Sequence, residues 1–302
     1  MHFLQRIIFI ISFVTWTHAT GKIRSDCSCG EANIINRGRI VNGKEATKNK
    51  YPWLAAMYTP TEFMCGGSII SDRNILTAGH CIFYVDKPFS TYWVLGMHNQ
   101  VLQDGDRYYI DHYSLHPKFH NFSVYDEYDM ALVTVRGIIR FNRNIRPICL
   151  TLPNTDYTGK QMTVAGWGRL DDSKDAKMGT ILQETNVHVK PPNDCAIEVA
   201  RLVRYNDEAM ICAHEKGTDS CSGDLGGPLF FESDVNRYEA IGVVSFGDGC
   251  ARDFPGIYGK LSDMQTQLWI KQYIVDTNSD ICSDPAHKIQ SNYFNDVFKI
   301  NF

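Results

Sequence analysis

Ten cysteines constrain this 302-residue chain more than any other feature of it. Where the surroundings are oxidising, an even set of that size pairs into a covalent framework, so the compartment has to be read first. The opening residues supply it: Arg6 gives a basic start, Ile7 to Trp16 is a short apolar run, and Thr17-His18-Ala19 offers small residues at a cleavage site. Residues 1–19 read as a signal peptide, and the remainder is expected to be secreted and extracellular. A membrane anchor competes with that reading, but the run is shorter than the roughly 20 residues a spanning helix needs. Zinc competes for the cysteines. The one tight pair, Cys27 and Cys29, has no second Cys or His pair at ligand spacing, so disulfides are expected and no metal.

The formal net charge of -4 is spread without acidic or basic blocks, which leaves no electrostatic footprint for nucleic acid or an anionic membrane. Neither is expected as a partner. Between about Tyr51 and Tyr258 the chain alternates short runs of Val, Ile, Tyr, Phe and Thr with Gly, Asn and Asp; examples are Trp93 to Leu95, Arg107 to Ile110, Ala131 to Val135, Met162 to Ala165, Val187 to Val189 and Ala240 to Phe246. Short strands with frequent turns argue an all-β sandwich or barrel. One helix stands out late: Ser262 and Gln265 form a capping-box pattern, and Met264, Leu268, Trp269, Tyr273 and Ile274 follow at helical spacing to an end near Asp276. Residues 277–302 read as a tail, whose Phe298, Ile300 and Phe302 alternate with polar residues and would suit a docked strand or a loose end equally. Asn121-Phe122-Ser123 is a sequon in a polar stretch, making Asn121 the expected glycosylation site.

Three segments belong together: Thr77-Ala78-Gly79-His80-Cys81, Tyr128-Asp129-Met130-Ala131-Leu132, and Asp219 to Pro228, which reads DSCSGDLGGP. Each alone has a bland explanation, as a packed histidine, a turn aspartate and a glycine-rich turn. Their joint occurrence in this order, beside cysteines, is far more specific. From about Cys27 to Cys282 the chain resembles the trypsin and chymotrypsin family, which implies two packed six-stranded antiparallel β-barrels and a C-terminal helix over 40–276, after a propeptide segment at 20–39. By that resemblance His80 matches the general base, Asp129 the acid that orients it, Ser245 the serine beside that acid, and position 225 the nucleophile.

The chemistry explains those types. The base takes a hydroxyl proton, and a buried carboxylate fixes the imidazole tautomer and stabilises the imidazolium. Leu225 supplies no hydroxyl. In such a triad, loss of the serine costs about 10⁶ in turnover, or roughly 8 kcal/mol of transition-state stabilisation. Ser220 and Ser222 are close in sequence, but displacement by several ångströms forfeits the alignment that attack requires. The backbone N–H groups of Gly223 and Leu225 match the oxyanion hole, which does not depend on the side chain.

The resemblance extends to activation and specificity. Cleavage is expected after Arg39, by an activating protease, with the freed Ile40 ammonium pairing with Asp224. Asp219 matches the floor of a pocket for Arg or Lys, and Gly247 and Gly256 match its walls, with Ser245 beside them. The implied disulfides are Cys65 with Cys81, Cys195 with Cys212, Cys221 with Cys250, Cys29 with Cys149, and Cys27 with Cys282. Three departures stand out: Phe246 replaces a tryptophan, Gly79 an alanine, and Met97 a glutamate that calcium-binding relatives use, although Asp104 and Asp106 are nearby. No cofactor is expected. The implied function is a secreted protease homologue without catalytic activity, acting on protein or peptide ligands such as proteases or their inhibitors as regulator, cofactor or decoy. The alternative is an active serine endopeptidase cutting after Arg or Lys, in which Leu225 is an allelic variant or a sequence error.

Overall fold

The computed structural model describes residues 22–33, 44–85, 88–119, 127–168, 178–216, 224–233, 237–247 and 254–283. The chain enters through β1 (Ile23–Ser28) and β2 (Lys44–Glu45). It then forms β3 (Leu54–Tyr58), β4 (Phe63–Ile69), β5 (Asn74–Thr77), the one-turn helix α1 (Gly79–Phe83), β6 (Tyr92–Leu95), β7 (Asp106–Leu115) and β8 (Ala131–Val135). Strands β3 to β8 close a barrel in the order β3-β4-β5-β8-β7-β6. Every residue of β3, β5 and β8 is buried, because one face fills the barrel and the other is covered by the rest of the molecule. Such strands read as continuous apolar runs, as Ala131 to Val135 does.

A second set follows: β9 (Cys149–Leu150), β10 (Gln161–Gly166), β11 (Gln183–Val189), helix α2 (Pro192–Val199), β12 (Met210–His214), β13 (Pro228–Glu232), β14 (Tyr238–Phe246) and β15 (Gly256–Lys260). The order β10-β13-β14-β15-β12-β11 is closed by β10 with β11, giving a second six-stranded antiparallel barrel; β2 extends it at β11 and β9 joins β14 in parallel. The fold is therefore all-β with two six-stranded barrels and a C-terminal helix. All six strand runs expected from sequence lie within β6, β7, β8, β10, β11 and β14. Tyr51 and Trp53, ahead of β3, pack against Phe230 and Tyr238 of the second barrel with ring centroids 4.9 to 5.9 Å apart, so one aromatic cluster joins the two halves.

Helix α3 (Met264–Asp276) ends where expected but starts differently. Its cap is Asp263, whose carboxylate accepts the Thr266 N–H at 2.8 Å, and the Ser262 hydroxyl is buried away from that role. Aspartate caps as well as serine does and adds a charge that the helix N-terminus favours. The helix buries Ile270, Tyr273 and Ile274, while Met264 and Leu268 are exposed. Beyond it the chain stays packed: the Asn74 amide donates to Thr277 and Ser279, both at 3.0 Å. Strand β16 (Ile281–Ser283) then pairs in parallel with β1. Disulfides join Cys27 to Cys282, Cys29 to Cys149, Cys65 to Cys81 and Cys195 to Cys212. No helix among the described residues is long and apolar enough to cross a membrane.

Candidate active site

His80 sits in the first turn of α1, directly after β5. Asp129 precedes β8, and the two strands are paired, which brings the side chains together. Asp129 is 3% exposed. One oxygen accepts the His80 backbone N–H at 2.8 Å, and the other lies 2.7 Å from His80 Nδ1. That second oxygen also accepts the Ser245 hydroxyl, at 2.5 Å. Ser245 reaches across from β14, where the register with β15 is interrupted between Val244 and Phe246, and such an interruption re-aims a side chain. The carboxylate thus has three donors and holds the imidazole with Nδ1 toward itself. Chemically, this arrangement fixes a tautomer and stabilises a proton gained at the far nitrogen.

The wall behind Asp129 is aromatic. Tyr128 has a left-handed φ of 53° and stacks on His116, centroids 4.7 Å apart. His116 in turn meets Trp269 of α3 edge-on at 4.9 Å. Burial lowers the His116 pKa from 6.5 to about 4, so this ring is neutral at ordinary pH. On the other side of Asp129, Gly79 has a physical reason to lack a side chain: a Cβ there would lie 3.0 Å from the Phe119 ring and 3.1 Å from the Asp129 carboxylate.

Leu225 lies in a turn that links the barrels through backbone alone. Its carbonyl accepts the Gly66 N–H of β4 at 2.8 Å, the Gly226 N–H donates to the Val244 carbonyl of β14 at 2.8 Å, and the Val244 N–H donates to the Gly227 carbonyl at 2.8 Å. Gly226 has φ +83°, and a Cβ on it would collide with Thr77 Oγ and the Gly66 carbonyl. The Leu225 side chain is half-buried and packs against the apolar clusters of both barrels. Asp224 places a carboxylate oxygen 2.9 Å from the Gly168 N–H, against glycines at 166 and 168 where side chains would clash with it. Gly256 is buried in β15 and Gly247 is exposed at the end of β14.

His80, Asp129 and Ser245 are therefore brought together, and Leu225 packs beside the joint between barrels. Arg39, Ile40, Asn121, Asp219, Cys221, Gly223 and Cys250 lie outside the described residues, as do 1–21 and 284–302. The cluster of Cys65, His80 and Cys81 has the spacing of a metal site, but both sulfurs are spent in a disulfide. The Met97 position does not suit calcium either: the thioether is buried and receives the Tyr58 hydroxyl at 3.6 Å, while Asp104 is occupied by the His98 and Asn99 N–H groups and by Lys48. Sequence reading missed Phe119 and His116, for which no short motif exists.

The trypsin family model matches residues 40–270. Clotting factor G beta subunit of Tachypleus tridentatus is 31% identical over 271 residues, covering 83% of this chain and 85% of that protein. Phenoloxidase-activating factor 3 of Holotrichia diomphalia is 32% identical over 270 residues, 81% of this chain and 75% of that protein. Suppressor of tumorigenicity 14 protein homolog of Bos taurus is 32% identical over 262 residues, 82% of this chain but 29% of the bovine protein. With two closed barrels, the His80–Asp129–Ser245 network and this match over most of its length, the chain belongs to the trypsin family.

Proposed function

We propose that this protein is a secreted protease homologue that has lost its nucleophile and works by binding. The observation that carries the reading is Leu225, whose side chain packs on apolar clusters at the position matched to the nucleophile, while His80, Asp129 and Ser245 keep their hydrogen-bond network. His80 keeps the position of a base with no hydroxyl to deprotonate. Asp219 is assigned to the floor of a pocket for an arginine or lysine side chain, with Gly247 and Gly256 as walls, and Asp224 to pairing with the Ile40 ammonium after cleavage at Arg39. Gly223 and Leu225 keep the oxyanion donors. The leader and the disulfides support secretion. Relatives named as a clotting factor subunit and a phenoloxidase-activating factor favour a place in an extracellular proteolytic cascade, with proteases or their inhibitors as ligands.

The intact His80–Asp129 pair also favours a second reading, a working endopeptidase cutting after Arg or Lys, if the residue at 225 in the natural transcript is serine. The two separate in one experiment. Protein cleaved at Arg39 should bind a small amidine through Asp219, yet leave arginyl amides uncut and remain unlabelled by a fluorophosphonate. Stoichiometric labelling of any residue refutes the non-catalytic reading.

A further inference from the structure

On the outer wall of the second barrel, β11 and β12 run antiparallel with Val189 opposite Ala213 and His188 opposite His214. Val189 and Ala213 belong to the barrel's buried core. Side chains alternate along a strand, so the two histidines share the outward face. Directly opposed residues carry Cβ atoms about 4.5–5.5 Å apart, and two imidazoles on such a base can converge on one ion with Zn–N distances near ~2.0–2.1 Å.

The third residue is Glu215. Its carboxylate lies 2.7 Å from His188 Nδ1, with both side chains nearly half exposed. A carboxylate on one ring nitrogen sets the tautomer and leaves the other nitrogen as the lone-pair donor, which is the usual support for a zinc-bound histidine. In the His214 ring Nδ1 is shielded from water and has no hydrogen-bond partner among the described residues, so Nε2 is the nitrogen left to an ion on the outward face. A cross-strand histidine pair, one member oriented by a carboxylate and the other untied, is more than a solvated surface requires. These residues are separate from the His80 site, which lies on the first barrel's α1.

We propose that His188 and His214 form a site for a divalent transition-metal ion, zinc by preference of two imidazole ligands, with Glu215 as a positioning residue and water completing the coordination. The ion clamps β11 to β12. The test is calorimetric titration of the metal-stripped full protein with zinc chloride, with cobalt absorption as a second readout. One equivalent should bind to the wild type and to His80→Ala, and that equivalent should disappear in His188→Gln and in His214→Gln. Glu215→Gln should weaken binding by about 10–100-fold. Zinc bound equally by either histidine variant, or no binding with about a tenfold excess of zinc, overturns the proposal. If a histidine variant fails to fold, Glu215→Gln decides: weakened binding supports the site, and unchanged affinity overturns it.

Discussion

The two barrels hold their shares of the candidate site by different means. From the first come His80 and Asp129, fixed by side-chain bonds that also recruit Ser245. Joining it to the second is the turn at Leu225, fixed by backbone bonds to Gly66 and Val244. The difference teaches where change is tolerated. A position held by its main chain can exchange a hydroxymethyl for an isobutyl group without losing its place, whereas a position held by its carboxylate cannot be altered without leaving buried donors unpaired.

The strongest way to break this comparison is Leu225→Ser in the cleaved protein. If the turn is set by backbone, the new hydroxyl arrives beside a ready base, and cleavage of an arginyl ester should rise at least ~10²-fold over wild type, with strict geometry limiting full recovery. Adding His80→Ala should abolish the gain. A folded, cleaved single mutant without activity shows that the roles assigned to these residues are wrong.

Stability gives the next contrast. Asp129→Ala strips partners from the His80 N–H and the Ser245 hydroxyl and should cost about 3–5 kcal/mol. Leu225→Ala removes half-buried carbons from a site that can relax, so about 1–2 kcal/mol is expected, below the range for a fully buried leucine. Urea midpoints that reverse this order would show that the leucine, not the carboxylate, is the keystone.

The wall behind Asp129 sharpens the point through pH. Burial, with help from Lys118 and against the pull of Asp263, lowers the folded pKa of His116 from 6.5 to about 4. Between those values the unfolded chain binds a proton that the folded chain refuses, so stability is complete above the unfolded value and falls as pH drops toward the folded one. The loss from this group should be about 2–3 kcal/mol between about pH 7 and about pH 4.5. In His116→Gln that part of the slope should vanish; an identical slope in both proteins would remove His116 as its source. The smallest effect serves as a control remote from the turn: Asp263→Ala should cost about 1 kcal/mol through its lost cap, measured by thermal melting, and leave amidine affinity unchanged.

Much of this architecture was legible in the residues because its signals are local. Ala131 to Val135 announces a strand, which the fold buries on both faces, and the segments around His80, Asp129 and Leu225 carry the family resemblance. What was hidden depends on pairing across distance. His188 and His214 are opposed only because two strands adopt one register, and β1 meets β16 across nearly the whole chain. The choice between Ser262 and Asp263 as cap turned on one residue of helix phase, which periodicity does not resolve. Phe119 over Gly79 left no trace in any motif.

The bridge from Cys27 to Cys282, spanning 255 positions, turns almost the entire protein into a covalent ring. A cut between Arg39 and Ile40 would fall inside that ring and open it, yet free no fragment, since Cys27 and Cys29 each tie the short piece to the rest. On a non-reducing gel such a cut would be close to invisible. Any message carried by the cut must therefore reside in the altered shape of the whole and not in a peptide that diffuses away.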